Sequence, residues 1–207
     1  MEIFIGIDQS INSSGITFNF FENDIKIDEK FYIITNKITK NEEKTQLEIP
    51  NFEYKIYNKI DKKETIDNND FERSKLLNNI MISDIIIDLI QKSKNNSLDK
   101  IYVGMEGISF SSFQTKSLVD LSGLSYIIRY RLHNFFKNNQ GGLYILTPAE
   151  VKLFASGNGS ASKEIMIGLF KNLYHDFTKL KKIDDIADSY WICSYLKHYH
   201  GKNCLVV

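Results

Sequence analysis

Cysteine is nearly absent from the 207 residues: Cys193 and Cys204 occur without any CxxC spacing. That excludes a disulfide framework and a thiolate zinc site, and suits a reducing compartment. Arginine is confined to Arg73, Arg129 and Arg131 beside an excess of Lys, Asn and Ile, the bias of an AT-rich genome. Long hydrophobic runs are missing too. Ile85–Ile87 is broken by charge long before the ~20 residues of a bilayer span. Ile3–Ile7 ends at Asp8, too short for a secretory leader. Neither membrane nor export is indicated, so a cytoplasmic location is expected. Net charge is absent as well, 26 basic residues balancing 26 acidic ones, so nothing global marks a nucleic-acid partner.

What is present is apolar mass. A 43% hydrophobic content with 14 Phe and 11 Tyr excludes global disorder, and the length fits one domain. Glu2–Asp8 reads as a short buried strand ending in an acid, Asn12–Gly15 as a turn, and Ile16–Phe21 as the return strand of a hairpin. Lys30–Thr35 is a third strand. Residues 36–70 are charged in both signs and rich in Asn, so they read as a solvated insertion with a small hairpin around Phe52–Ile60. Glu72–Ser93 carries apolar residues at helical spacing, Ile101–Glu106 is a strand again, and Thr115–Phe136 is a long amphipathic helix. Strand Leu143–Leu146 follows Gly141-Gly142. Helices are expected at Pro148–Phe154, from a Ser160 cap to Leu173, and over Asp184–His198. Three consecutive strands followed by strands alternating with helices imply an α/β protein, a mixed sheet of about five strands flanked by helices.

Two acids, Asp8 and Glu106, close apolar strands. Asp185 and Asp188 share a face at the start of the last helix, and Asp184 offers the same relation to Asp188. Taken singly, an Asp after a strand is usually a turn residue and an acid in a first helical turn answers the helix dipole. Together, strand ends ~4.8 Å apart and a helix start packed over them would gather four carboxylates. Such a group repels itself unless hard divalent cations neutralise it. Two ions ~3.5–4 Å apart would clamp the attacking water and the leaving oxygen of a phosphodiester.

The combination matches a family. Ile5-Gly6-Ile7-Asp8-Gln9-Ser10, with Gly15 opening the next strand, resembles the first hairpin of the RuvC-type Holliday-junction resolvases, and Val103-Gly104-Met105-Glu106 resembles their second acidic strand end. Thr147–Lys152 and then Gly157-Asn158-Gly159-Ser160-Ala161-Ser162-Lys163 are similar to their lysine-bearing G-x-G-[ST]-A-x-K segment. Asp185-Ile186-Ala187-Asp188 is similar to their closing D-x-x-D helix, and Lys182–Ser189 resembles the poxviral branch. The resemblance covers residues 1–35 and 71–200 in order. It implies an RNase H-like nuclease fold and a homodimer that resolves four-way DNA junctions by paired symmetric nicks. It further implies Mg²⁺ or Mn²⁺ as cofactor, two ions per site, and in-line attack by water leaving 5′-phosphate and 3′-hydroxyl ends. By motif match Asp8, Glu106, Asp185 and Asp188 are the metal ligands, with Asp184 the substitute for Asp185. Lys163 matches the lysine near the scissile phosphate and Lys152 the second one.

Three departures stand out. The 36–70 insertion has no counterpart in the short bacterial enzymes. The aromatic wedge expected three residues after Glu106 is displaced, leaving Phe110 and Phe113 as candidates to unstack a base step or to pack on the next helix. Ser122-Gly123 falls where a tight helix contact is expected in the dimer. Local charge agrees with a DNA partner: Lys152, Lys163, Lys171, Lys179, Lys181 and Lys182 face Glu150, Glu164 and Asp176 between 148 and 183. His198 and His200 read as surface residues at a helix end, and Tyr190, Trp191 and Tyr195 as core. The competing readings are an RNA-processing relative, an actin-like or sugar-kinase-like phosphotransferase built on the Ile5–Gly15 hairpin, and an inert junction-binding protein. The composition and the inserted loop would suit a viral source, with the host cytoplasm as location.

Overall fold

The computed structural model describes residues 1–61, 66–108 and 115–200. Strands β1 (Glu2–Asp8), β2 (Ser13–Glu22) and β3 (Ile25–Thr35) form an antiparallel meander. Helix α1 (Lys40–Glu48) leads into β4 (Phe52–Ile56), which pairs parallel with β3. Helix α2 (Asn68–Ser93) crosses to β5 (Lys100–Glu106), α3 (Thr115–Phe136) to β6 (Gly141–Leu146), and α4 (Pro148–Ser156), α5 (Lys163–Leu173) and α6 (Ile183–His200) complete the chain. A 3₁₀ turn, His175–Lys179, links the last two helices. The sheet order is β4-β3-β2-β1-β5-β6, with β1, β5 and β6 mutually parallel. No helix among the described residues is long and apolar enough to cross a membrane.

Strand alternation sorts the core into two layers. Ile3, Ile5 and Ile7 of β1 and Ile101, Val103 and Met105 of β5 point to one face, where they meet Ile82, Ile86 and Ile90 of α2 and Leu124, Ile128 and Leu132 of α3. The opposite face carries Phe4 and Tyr102, packed with Met166 and Phe170 of α5 and Trp191, Ile192 and Leu196 of α6. By the same parity Gly6, Asp8, Gly104 and Glu106 belong to the α6 face.

Helix α6 lies directly against the strands because glycine lets it. A Cβ on Gly6 would overlap the carbonyl oxygen of Ser189 and the amide of Cys193, and one on Gly15 would overlap the carbonyl of Asp185. Thr17 and Ser189, buried between β2 and α6, are joined hydroxyl to hydroxyl at 2.9 Å.

The expected mixed sheet flanked by helices is present, and β4 adds a sixth strand. Residues 36–61 are not simply the solvated excursion that their charge suggests. Ile49, Phe52 and Tyr54 are buried in the α5–α6 core layer, and β4 is a parallel edge strand rather than half of a hairpin. Balanced charge masks these core residues and Tyr57, which is buried in the opposite layer. Helix α1 is set by a capping box in which the hydroxyl of Thr39 accepts from the Glu42 amide while Glu42 accepts from the Thr39 amide. Strand β3 begins at Ile25, not Lys30; its first residues, Ile25–Asp28, are all exposed and belong to no core face. The hairpin turns at Asn23 and Asp24, both in the left-handed region. The cap of α5 falls on Ser162, not Ser160.

The close helix–sheet contact gives the first prediction. Gly6→Ala places a methyl into backbone atoms that cannot rotate away, so unfolding stability in urea should fall by about 3 kcal/mol, the upper part of the usual overpacking range. A loss below about 1 kcal/mol would mean that α6 is free to slide off the sheet.

Candidate active site

Register brings the acids together. Ile7 of β1 lies beside Met105 of β5, so the next residues along, Asp8 and Glu106, end neighbouring parallel strands on the α6 face. Asp8 also pairs with Gly15 of β2, the residue on which the start of α6 rests. Asp185 and Asp188, one helical turn apart in α6, are thereby carried over the two strand ends.

The electrostatics record the crowding. Burial raises the carboxyl of Asp8 well above its ordinary value, and Asp188, Asp185 and Glu106 push it further, with Lys163 acting against them. Glu106 is pushed up to about 7 by burial and then by Asp188, with Lys152 and Lys163 opposing. Asp185 is raised to about 6, again mainly by burial, although the hydroxyl of Ser13 donates to it. Asp188 is raised by burial against the pull of Lys163. Asp184 behaves oppositely. Burial works against its charge, but the hydrogen bond and charge of Lys163 outweigh this and lower its pKa. Of the two adjacent residues, Asp185 is the one whose charge acts on Asp8.

Two lysines border the acids. Lys163, the first residue of α5, lies 2.8 Å from Asp184 and 3.9 Å from Asp188. Lys152 of α4 joins Lys163, Glu106 and Asp188 around a cavity of about 210 Å³. Helix α4 is anchored for this by a capping box between Thr147 and Glu150 and ends at Gly157, whose positive φ suits glycine. A larger groove of about 440 Å³ opens on the other side of Asp8 and Glu106, lined by Gln9, Ser10, Ile11 and Asn12 and by Leu118 and Leu121 of α3.

No protein-family model matches the sequence, and no curated protein does. Solved structures do. The structure of "T. thermophilus RuvC in complex with Holliday junction substrate" aligns over 98% of this chain and 97% of its own, with a TM-score of 0.59 at 10% identity. "Thermus thermophilus RuvC structure" aligns over 97% and 96%, with a TM-score of 0.53 at 14% identity. The chain has the RuvC resolvase fold.

On this RuvC scaffold the residues singled out from sequence are sorted plainly. Asp8, Glu106, Asp185, Asp188, Lys163 and Lys152 come together, from β1, β5, α6, α5 and α4. Phe110 and Phe113 lie outside the described residues. The His200 ring packs tilted against Tyr102, centroids 3.7 Å apart, at the end of α6 remote from the acids. Trp191 is core, its indole N–H donating to the Met166 carbonyl. Sequence reasoning missed Ser13, read only as turn chemistry, and Gln9. The Gln9 amide donates to the Glu106 carbonyl at 3.0 Å and accepts from Ser125 at 3.2 Å, tying the two acidic strand ends to α3. No spacing rule marks either residue.

The donor set is carboxylate oxygen only, which suits a hard divalent cation. Among the described residues no three His, Cys, Asp or Glu side chains are grouped closely enough to hold an ion as they stand. Ser13 and Lys163 instead take up Asp185, Asp184 and Asp188. Burial and mutual repulsion are what a cation would relieve, so the fit lies in the chemistry of the donors.

The raised carboxyls set a pH dependence for the metal-free chain. A folded-state pKa above the unfolded one means that the folded chain holds a proton that the unfolded chain has released, so stability falls as pH rises through that interval. For Glu106 the interval runs from 4.5 to about 7, and by itself corresponds to on the order of 3 kcal/mol. In EDTA, guanidinium unfolding should therefore show a more stable protein at pH 5.5 than at pH 8. Glu106→Gln should reduce the difference, Asp8, Asp185 and Asp188 supplying the remainder; equal stability at both pH values in the unmutated chain would contradict the burial of these charges.

Proposed function

We propose that the chain is a divalent-metal-dependent endonuclease that resolves four-way DNA junctions by paired nicks, acting as a homodimer. The observation that carries this reading is the meeting of four half-buried carboxylates from β1, β5 and α6, three of them acting on Asp8, on a RuvC fold. It is supported by the related solved structure that binds a Holliday junction substrate. Asp8, Glu106, Asp185 and Asp188 would hold Mg²⁺ or Mn²⁺, which when bound supplies Lewis acidity and charge for attack of water on the phosphodiester. An RNA duplex or ATP as substrate has no such observation behind it.

The protein's own groups have separable tasks. Gln9 fixes the backbone of Glu106, so that both acidic strand ends move as one unit. Ser13 holds Asp185 by its hydroxyl. Lys163, half-exposed beside Asp184 and Asp188, gains a phosphate partner when DNA enters, and its fixed charge then opposes the negative charge that develops on the phosphoryl oxygens. Lys152, on the far wall of the same cavity, adds a second cation. Phe110 and Phe113 remain the candidates for a wedge at the crossover. Since phosphates dominate such binding, junction affinity should fall steeply with salt.

The homodimer reading rests on α3. Val119 is 68% exposed, Tyr126 65% and Tyr130 68%, and with Gly123 they follow one another at helical spacing along one face. Glycine in the middle of this stripe lets a second helix approach, and the flanking tyrosines supply apolar area to bury.

A labelled four-way junction and its matched linear duplex test the function. Paired nicks near the crossover are expected with Mg²⁺ and not with EDTA, and Glu106→Gln should reduce kcat by about 10²-fold or more. Failure of a folded dimer to cut any branched DNA with Mg²⁺ or Mn²⁺ would overturn the reading. Separately, Gly123→Glu should convert a dimer into a monomer by light scattering without shifting the circular dichroism spectrum; a dimer that persists would move the interface elsewhere.

A further inference from the structure

The segment that carries α1 and β4 touches the site from behind, at both of its ends. Thr35, where β3 gives way to it, is 1% exposed. Its hydroxyl lies 3.3 Å from the carbonyls of Asn12 and Lys37 and accepts a hydrogen bond from the Lys182 ammonium at 2.8 Å. Its one proton is shared between two carbonyls, and one of its two lone pairs accepts from the ammonium. Beyond β4 the chain returns to the same point. The amide of Tyr57 donates to the Thr35 carbonyl at 3.1 Å, and the Tyr57 hydroxyl donates to the Ile11 carbonyl at 3.2 Å. Ile11 and Asn12 belong to the loop that follows Asp8, and Gln9 at the start of that loop is held from the opposite side through Glu106 and Ser125.

Lys182 extends the link to α6. It immediately precedes the helix, and it lies within the field of both Glu42, buried at the start of α1, and Asp185. Tyr54 of β4 faces the same two acids, its buried hydroxyl without a hydrogen-bond partner among the described residues. The loop after Asp8 and the helix that bears Asp185 are therefore referred to one buried hydroxyl, that of Thr35.

We propose that the α1–β4 segment is a brace for the active site: through Thr35, Tyr57 and Lys182 it fixes the Gln9–Asn12 loop against the start of α6. This rests on the nuclease reading above. The three are positioning residues; the groups that they position, Asp8 and Asp185, are the ones assigned to the reaction. Displacing either strand end or helix start by a fraction of an ångström separates carboxylates that must act on the same atoms, while leaving the outer DNA-binding lysines where they were.

Thr35→Val keeps the shape and removes the hydroxyl, Thr35→Ser keeps the hydroxyl, and Tyr57→Phe removes the second tie. On a four-way junction, Thr35→Val is expected to lower kcat by about tenfold or more with KM within about twofold. Thr35→Ser should restore it, and Tyr57→Phe should show a smaller loss of the same kind. In the metal-free chain, backbone amides of residues 9–12 should exchange with solvent faster in Thr35→Val than in the parent, and return to the parental rate in Thr35→Ser. A kcat within about twofold of the parent in folded Thr35→Val, or a rise in KM alone, overturns the brace. So does a loss that serine fails to restore. If Thr35→Val does not fold, Tyr57→Phe is judged by the same criteria. A parent chain that cuts no branched DNA overturns the nuclease reading instead; unchanged amide exchange in the variant then overturns the brace independently.

Discussion

Holding four carboxylates together out of water is the constraint around which this fold is arranged. Asp8, Glu106, Asp185 and Asp188 are each pushed up first by burial, and next Asp8 by Asp188, Asp185 and Glu106, and Glu106 by Asp188. Left to itself, such a group would drive its elements apart, because burying like charges together costs several kcal/mol before any compensation. The scaffold must hold what the site resists. It does so with two apolar layers, one on each face of the sheet, and with backbone contacts that side chains would prevent.

The glycines are where that scaffold is least forgiving. At Gly6 and Gly15 the missing Cβ is filled by the backbone of α6 itself, so the helix is seated at a depth set by main-chain contact rather than by side-chain packing. That depth decides how far Asp185 and Asp188 reach over the strands. The Thr17–Ser189 hydroxyl pair fixes the helix along its axis in the same buried layer. Seating and chemistry are thus coupled: a residue that lifted α6 would also open the carboxylate group.

Much of this was legible in the sequence because burial leaves a period. The alternation in Ile3–Ile7 and Ile101–Met105, and the helical spacing in α2, fix both core layers and, by parity, the face on which Asp8 and Glu106 sit. The acids themselves were found by motif, since neither a strand-end Asp nor a first-turn Asp is distinctive alone. The charge of the 36–61 region hides its core contribution, Ile49, Phe52, Tyr54 and Tyr57 among many charges, too few to make a period. Ser13, Gln9 and Thr35 were invisible for a different reason. Their importance lies in hydrogen bonds to residues at sequence separations such as 97, 116, 147 and 172, which no local pattern can encode.

Charge compensation around the acids is asymmetric, and the asymmetry follows from topology. On one side Lys163 and Lys152 come from helices that only frame the cavity; half-exposed, Lys163 can exchange its carboxylate partner for a phosphate at little cost. On the other side Lys182 is tied to buried Thr35, and burial lowers its pKa despite the opposing charges of Glu42 and Asp185. A cation that is already bound to a buried hydroxyl is a poor partner for a mobile anion, because leaving would strand Thr35. The first pair is therefore suited to meet DNA and the second to hold the protein's own backbone. The same residue type thus serves recognition or rigidity according to what the neighbouring element has buried beside it.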